Sequence, residues 1–193
     1  MRVQTLIVFL IGAVTAQAQI IDCKDEACSE ISIPQTDEAK YQFQQVIEVP
    51  EATEGALYSQ AKVMFAELFK DASEVIQMDD ASSYTIVGKA WSPVTWGIAS
   101  AELWYTLKIE AKPGRYRYTI YDLIYDGSSK DPSIKITYRE PIEQSFFETR
   151  IADGKRKFKD QKIRAAWIST VNNLQRRIIE KMTAPANDKD DNW

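Results

Sequence analysis

Between residues 84 and 124, apolar side chains return at every second position in three successive runs. Tyr84, Ile86, Gly88 and Ala90 make the first, Leu103, Tyr105, Leu107 and Ile109 the second, and Tyr116, Tyr118, Ile120 and Ile124 the third. A period of two sends alternate side chains to opposite faces, so each run predicts a half-buried strand. Lys112-Pro113-Gly114-Arg115 separates the last two runs. Proline presets φ at the second turn position and glycine supplies positive φ at the third, so these strands fold back antiparallel. Asp126-Gly127-Ser128-Ser129 predicts another turn, and Ile134, Ile136 and Tyr138 another strand.

The flanks have a different period. Tyr41, Phe43, Ile47 and Val49 alternate as a strand that Pro50 stops. Leu57, Ala61, Met64, Phe65 and Leu68 then fall at helical spacing, with Thr53 placed as N-cap. Val75, Ile76 and Met78 are a short apolar step, either a strand or a loop buried at one edge. Pro141 to Lys157 reads as a long connection whose Phe146 and Phe147 pack down. Trp167, Val171, Leu174, Ile178 and Met182 form a helical stripe, with Arg164, Asn173, Arg176 and Glu180 on the polar side. Such a helix is marginal alone and must dock. The order β-α-β-β-β-β-α predicts an α+β fold, an antiparallel sheet of about five strands with two helices packed on one face. Its other face meets solvent or a partner.

The ends say where the chain works. Arg2, the apolar run Leu6 to Val14 and the small-x-small Ala16-Gln17-Ala18 have the form of a secretory signal peptide over residues 1–18. The expected location is periplasmic or secreted. Residues 19–38 read as an N-terminal arm, 39–183 as a single domain and 184–193 as a disordered tail. No later apolar run is long enough to cross a bilayer. The two cysteines, Cys23 and Cys28, are expected to pair in an oxidising compartment, with two free thiols as the other reading. A metal site would need further soft ligands, and the chain has no histidine.

Short segments of the chain from about Lys40 to Met182 resemble a bacterial family, domain of unknown function 4468, described as having a TBP-like fold. They are Val46-Ile47-Glu48-Val49-Pro50, the helix around Leu57-Tyr58 and Ala61-Lys62, Ser73-Glu74-Val75-Ile76-Gln77, Ile86-Val87-Gly88-Lys89 and Gly114-Arg115-Tyr116-Arg117-Tyr118-Thr119. The resemblance implies a curved sheet with two helices on its convex side. It implies no activity, cofactor or catalytic residue. A fold shared with a DNA-binding protein does not transfer that function, and a net charge of −4 argues against nucleic acid as partner.

Without histidine the commonest general base and the Ser-His-Asp triad are missing. No Gly-x-Ser-x-Gly elbow or glycine-rich phosphate loop occurs. Carboxylates remain. Asp79-Asp80 reads as a solvated turn. Asp122 shares parity with Ile120 and Ile124, so it is expected to be partly buried and hydrogen-bonded to backbone or a tyrosine. The basic run Lys155 to Arg164, interrupted by Asp160, reads as a solvated helix start, with an anionic membrane surface as the alternative.

Strand parity sends Val87, Lys89 and Trp91, then Trp104, Thr106 and Lys108, then Arg115, Arg117, Thr119 and Tyr121, and last Lys135, Thr137 and Arg139 to the face opposite the helices. Glu102 and Glu110 lie among them. One reading is cross-strand pairing, Lys108 or Arg117 against a glutamate and Trp104 over neighbouring stems. The other is a binding platform centred on Lys89, Trp91, Trp104, Lys108, Arg115, Arg117 and Tyr121, because Trp, Tyr and Arg carry most contact energy. The expected function is then a non-catalytic exported binding module with a protein, peptide or glycan partner in the cell envelope. The alternatives are a carrier of a small apolar ligand between sheet and C-terminal helix, and a carboxylate-based hydrolase.

Overall fold

The fold is a layer of long antiparallel strands with helices against one side, in a computed structural model that describes residues 32–69, 71–128, 138–154 and 158–183. In chain order the elements are β1 (Phe43–Glu48), α1 (Glu54–Leu68), the one-turn α2 (Ala72–Val75), β2 (Ile76–Asp80), β3 (Thr85–Trp96), β4 (Ala99–Lys112), β5 (Arg115–Asp126), β6 (Arg139–Pro141), a 3-10 turn (Ile142–Gln144), α3 (Phe146–Ala152) and α4 (Phe158–Thr183). The sheet runs β1-β5-β4-β3-β2, with β6 also paired to β5. Because β4 holds the other side of β5 along its length, β1 and β6 share one edge. β1 covers Arg115–Ile120, and β6 covers Ile124–Asp126.

Local chemistry sets the ends of these elements. Gly114 takes φ +73 in the β4–β5 turn. Thr53 caps α1, its hydroxyl accepting the Ala56 N–H at 3.2 Å. The alternating residues of β3, β4 and β5 meet the helices, burying Ile86, Leu103, Leu107, Ile109, Tyr118 and Ile120. α1 supplies Leu57, Ala61, Met64 and Phe65, and every stripe residue of α4 from Trp167 to Met182 is buried with them. Trp167 stacks on Tyr41 with centroids 5.8 Å apart and meets Phe43 edge-on. Burying side chains of this size gives about 1.5–3 kcal/mol each, which is what holds α4 on the sheet.

Several expectations need correction. The connection Pro141 to Lys157 contains α3, capped by Ser145, whose Oγ accepts the Glu148 N–H at 3.4 Å. Phe147 is buried there and Phe146 half-buried. A helix of seven residues completes too few turns to show a period. The basic run is not a solvated helix start at Asp160 and Arg164. Both are buried; Arg150 donates to Asp160 (Nε–Oδ2 2.7 Å) and Arg164 Nη1 lies 3.1 Å from Glu148 Oε2. The last stretch of the expected arm packs onto the domain, with Ile33 buried and the Gln42 N–H donating to the Pro34 carbonyl at 3.0 Å. The step at Val75–Met78 is the join of α2 to β2. The leader, Cys23, Cys28, Lys135, Thr137, most of the strand expected at 134–138 and the tail from 184 lie outside the described residues.

Candidate functional site

The face of the sheet away from the helices is built from cross-strand rows. One row is Met78–Val87–Lys108–Thr119–Gln44, and a second is Lys89–Thr106–Tyr121. A third is Trp91–Trp104–Ile124–Pro141, and a fourth Thr85–Glu110–Arg117–Val46. All seven residues expected to form the platform stand in these rows or, for Arg115, in the next. They divide into two groups by their contacts.

Trp104, Lys108 and Arg117 are held by neighbours. Glu110 accepts from Lys108 at 3.1 Å and from Arg117 at 2.7 Å. Burial alone would raise the Glu110 carboxyl, but the two cations more than reverse this and hold it below its ordinary value. Trp104 Nε1 donates to Glu102 at 3.0 Å, and the Arg139 guanidinium lies 4.8 Å from its ring centroid. Arg117–Glu110 is a cross-strand pair of the first reading, whereas Lys108–Glu110 and Trp104–Glu102 lie along β4 itself. The second group stays open. Trp91 is 47% exposed, beside Trp104 at 6.4 Å, and Met78 and Val46 are 43% and 37% exposed. Lys89 and Arg115 are exposed too, and Arg115 joins Lys112 and Arg117 around a hollow of about 270 Å³.

The second feature was hidden from strand parity. Trp104 pairs with Ile124 but Thr106 with Tyr121, so β5 carries an extra residue. Asp122 sits at this bulge with φ +51. The bulge reverses parity: Asp122 is exposed, Leu123 is buried and Ile124 moves to the uncovered face. The expected partly buried Asp122 is thus overturned. The bulge also falls where β1 ends and β6 has not begun.

A groove of about 880 Å³ opens at that break. Its mouth carries Lys89, Asp122, Ile124 and Lys40, its far wall Glu143, Gln144, Thr149 and Ile151, and Glu148 and Arg164 lie at its base. Glu143 reaches across to accept the Tyr41 N–H, joining the start of the domain to the segment after β6. Glu148 accepts from Tyr41 Oη, Trp167 Nε1 and Arg164, each at 3.1 Å. Burial pushes its carboxyl up, against the pull of Arg164. Burial likewise pushes the Tyr41 hydroxyl well up. With three donors on two oxygens, Glu148 organises the base of the groove.

The carboxylates of Asp79 and Asp80 are also committed. Asp79 accepts from Tyr58 and from Lys62, the latter at 2.7 Å, which keeps it ionised below its ordinary value. Asp80 binds Ser82 and Ser83 in the turn and is pulled down to about 2. No group of acids or thiols among the described residues is arranged to hold a metal, and no described helix is long and apolar enough to cross a membrane.

An open antiparallel sheet of five to six strands with helices on one face is the α+β arrangement of TBP-like proteins. Residues 43–126 match the model of the domain of unknown function (DUF4468) with TBP-like fold. A TBP-like protein from Parabacteroides distasonis ATCC 8503 superposes with a TM-score of 0.63 at 13% identity, covering 81% of this chain and 98% of that one. A DUF4468 family protein from Bacteroides ovatus ATCC 8483 gives 0.60 at 15% identity, covering 86% and 99%. Among curated proteins none matches the chain. These likenesses define the fold; the site has to be read from its own residues.

Proposed function

We propose that this chain is an exported, non-catalytic binding module, periplasmic or secreted, which holds a protein partner of the cell envelope on the uncovered sheet face. The observation that carries this reading is the set Trp91, Met78, Val46, Lys89 and Arg115, exposed together on one face of a well-packed domain. Aromatic and arginine side chains left in water at the centre of a rigid surface are the groups that contribute most when a partner excludes that water. The signal-like leader supports export. The apolar-carrier alternative has less support, because the α4 stripe facing the sheet is filled by buried side chains.

Co-purification from the native envelope tests the reading. Trp91→Ala with Arg115→Glu should abolish partner recovery and leave the thermal midpoint within about 2 °C, since neither residue is buried. Trp104 and Arg117 are poorer probes, because their loss also breaks contacts inside the protein. Unchanged recovery by the Trp91/Arg115 variant overturns the face as the contact surface. Retention of the full-length chain in the cytoplasm overturns export.

A further inference from the structure

The groove at the β1–β6 break adjoins the Trp91–Arg115 surface and shares Lys89 with it, but neither Trp91 nor Arg115 lines it. Along the β5 edge, Tyr121, Asp122 and Leu123 have no ladder partner on that side among the described residues. Three residues of strand edge span about 10 Å and present main-chain donors and acceptors without a ladder. The groove beside them is of the size that takes a small ligand or a short chain segment. Its walls alternate in character: Ile124, Pro141 and Ile151 offer apolar contact, and Gln35, Gln144 and Thr149 offer side-chain hydrogen bonds. At the mouth stand two opposite charges, Lys89 and Asp122, neither in an ion pair among the described residues.

We infer that this groove binds a short extended peptide segment. Its main chain pairs with the open edge at Tyr121–Leu123, an acidic side chain meets Lys89, and a basic one meets Asp122. This is strand addition at an exposed edge, where main-chain bonds give affinity and side-chain contacts give specificity. Three features favour a peptide over a sugar. The free edge matches peptide geometry, the apolar positions suit alternate side chains, and the unpaired charges are of opposite sign. The rigid Glu148–Arg164 base fixes the groove before the ligand arrives, which lowers the ordering cost of binding.

A random peptide display library panned against the full-length chain tests this, with an oligosaccharide array as the second arm. Enriched peptides should converge on a sequence holding an acidic and a basic residue. The synthesised winner should slow amide exchange at Tyr121–Leu123. Lys89→Glu should weaken it about tenfold, and exchanging its acidic residue for lysine should restore binding to that variant. Asp122→Asn, which keeps a residue tolerant of positive φ, should weaken it similarly. Trp91→Ala with Arg115→Glu should leave peptide affinity unchanged, which separates this site from the sheet-face surface. No convergent peptide, or a winner indifferent to both Lys89→Glu and Asp122→Asn, overturns the inference. Sugar binding with no peptide bound overturns it as well.

Discussion

Arg164 Nη1 lies 3.1 Å from Glu148 Oε2, and the two side chains are only 8% and 3% exposed. The pair links α4 to α3 beneath the groove, and Tyr41 ties the start of the domain to the same carboxylate. Removing one partner strands the other charge in a dry site. Glu148→Gln should cost about 3–5 kcal/mol in urea unfolding. The double replacement Glu148→Gln with Arg164→Met should cost less than the two single changes added together, because it leaves no unmatched charge.

Gly88 shows where β3 receives α1. A Cβ at this position would run into the Phe65 ring and come within 3.1 Å of Val75 Cγ1. Gly88→Ala should therefore destabilise the domain by about 1–3 kcal/mol through overpacking. Adding Phe65→Leu should recover part of that loss, measured by the same unfolding curves.

Glu110 ties pH to stability. Its folded carboxyl is held below the ordinary value, so the stabilisation by Lys108 and Arg117 is complete above the unfolded pKa of about 4.3 and fades as pH falls through the lower folded value. The stability difference between the native chain and Glu110→Gln should be constant above about pH 5.5 and shrink below about pH 4.3. A difference that grows on acidification would contradict the assignment.

Asp122 tests the bulge. At φ +51 a β-branched side chain is strained, so Asp122→Val should cost about 1–3 kcal/mol. Asp122→Gly, free to adopt this backbone, should stay within about 1 kcal/mol of the native chain.

The sequence was most readable where one period ran unbroken. The three long strands, α1 with its Thr53 cap and the α4 stripe from Trp167 to Met182 all follow from spacing, and their order already implied helices on one side of an antiparallel layer. The platform residues were legible by the same rule, because parity alone decides which face of a strand a side chain joins. Parity fails beyond an inserted residue. Nothing before Asp122 signals the bulge, so the period places Ile124 in the core and leaves the groove hidden. Buried charge is equally opaque. Arg164 and Asp160 look like solvent-facing residues of a basic helix start, and only Glu148 and Arg150, brought near by α3, make their burial tolerable. A positive φ at a non-glycine and an ion pair between two helices both depend on tertiary context.

The arrangement of β1 and β6 on one strand edge has a kinetic consequence. β1 is the first of the described strands to leave the ribosome, yet its template, Arg115–Ile120, follows some seventy residues later. The lock from Tyr41 to Glu143 and Glu148 waits longer still, spanning sequence separations of 102 and 107 residues. High contact order of this kind slows folding. An emerging chain cannot close its sheet early; it stays unfinished until the region that completes the groove has been synthesised.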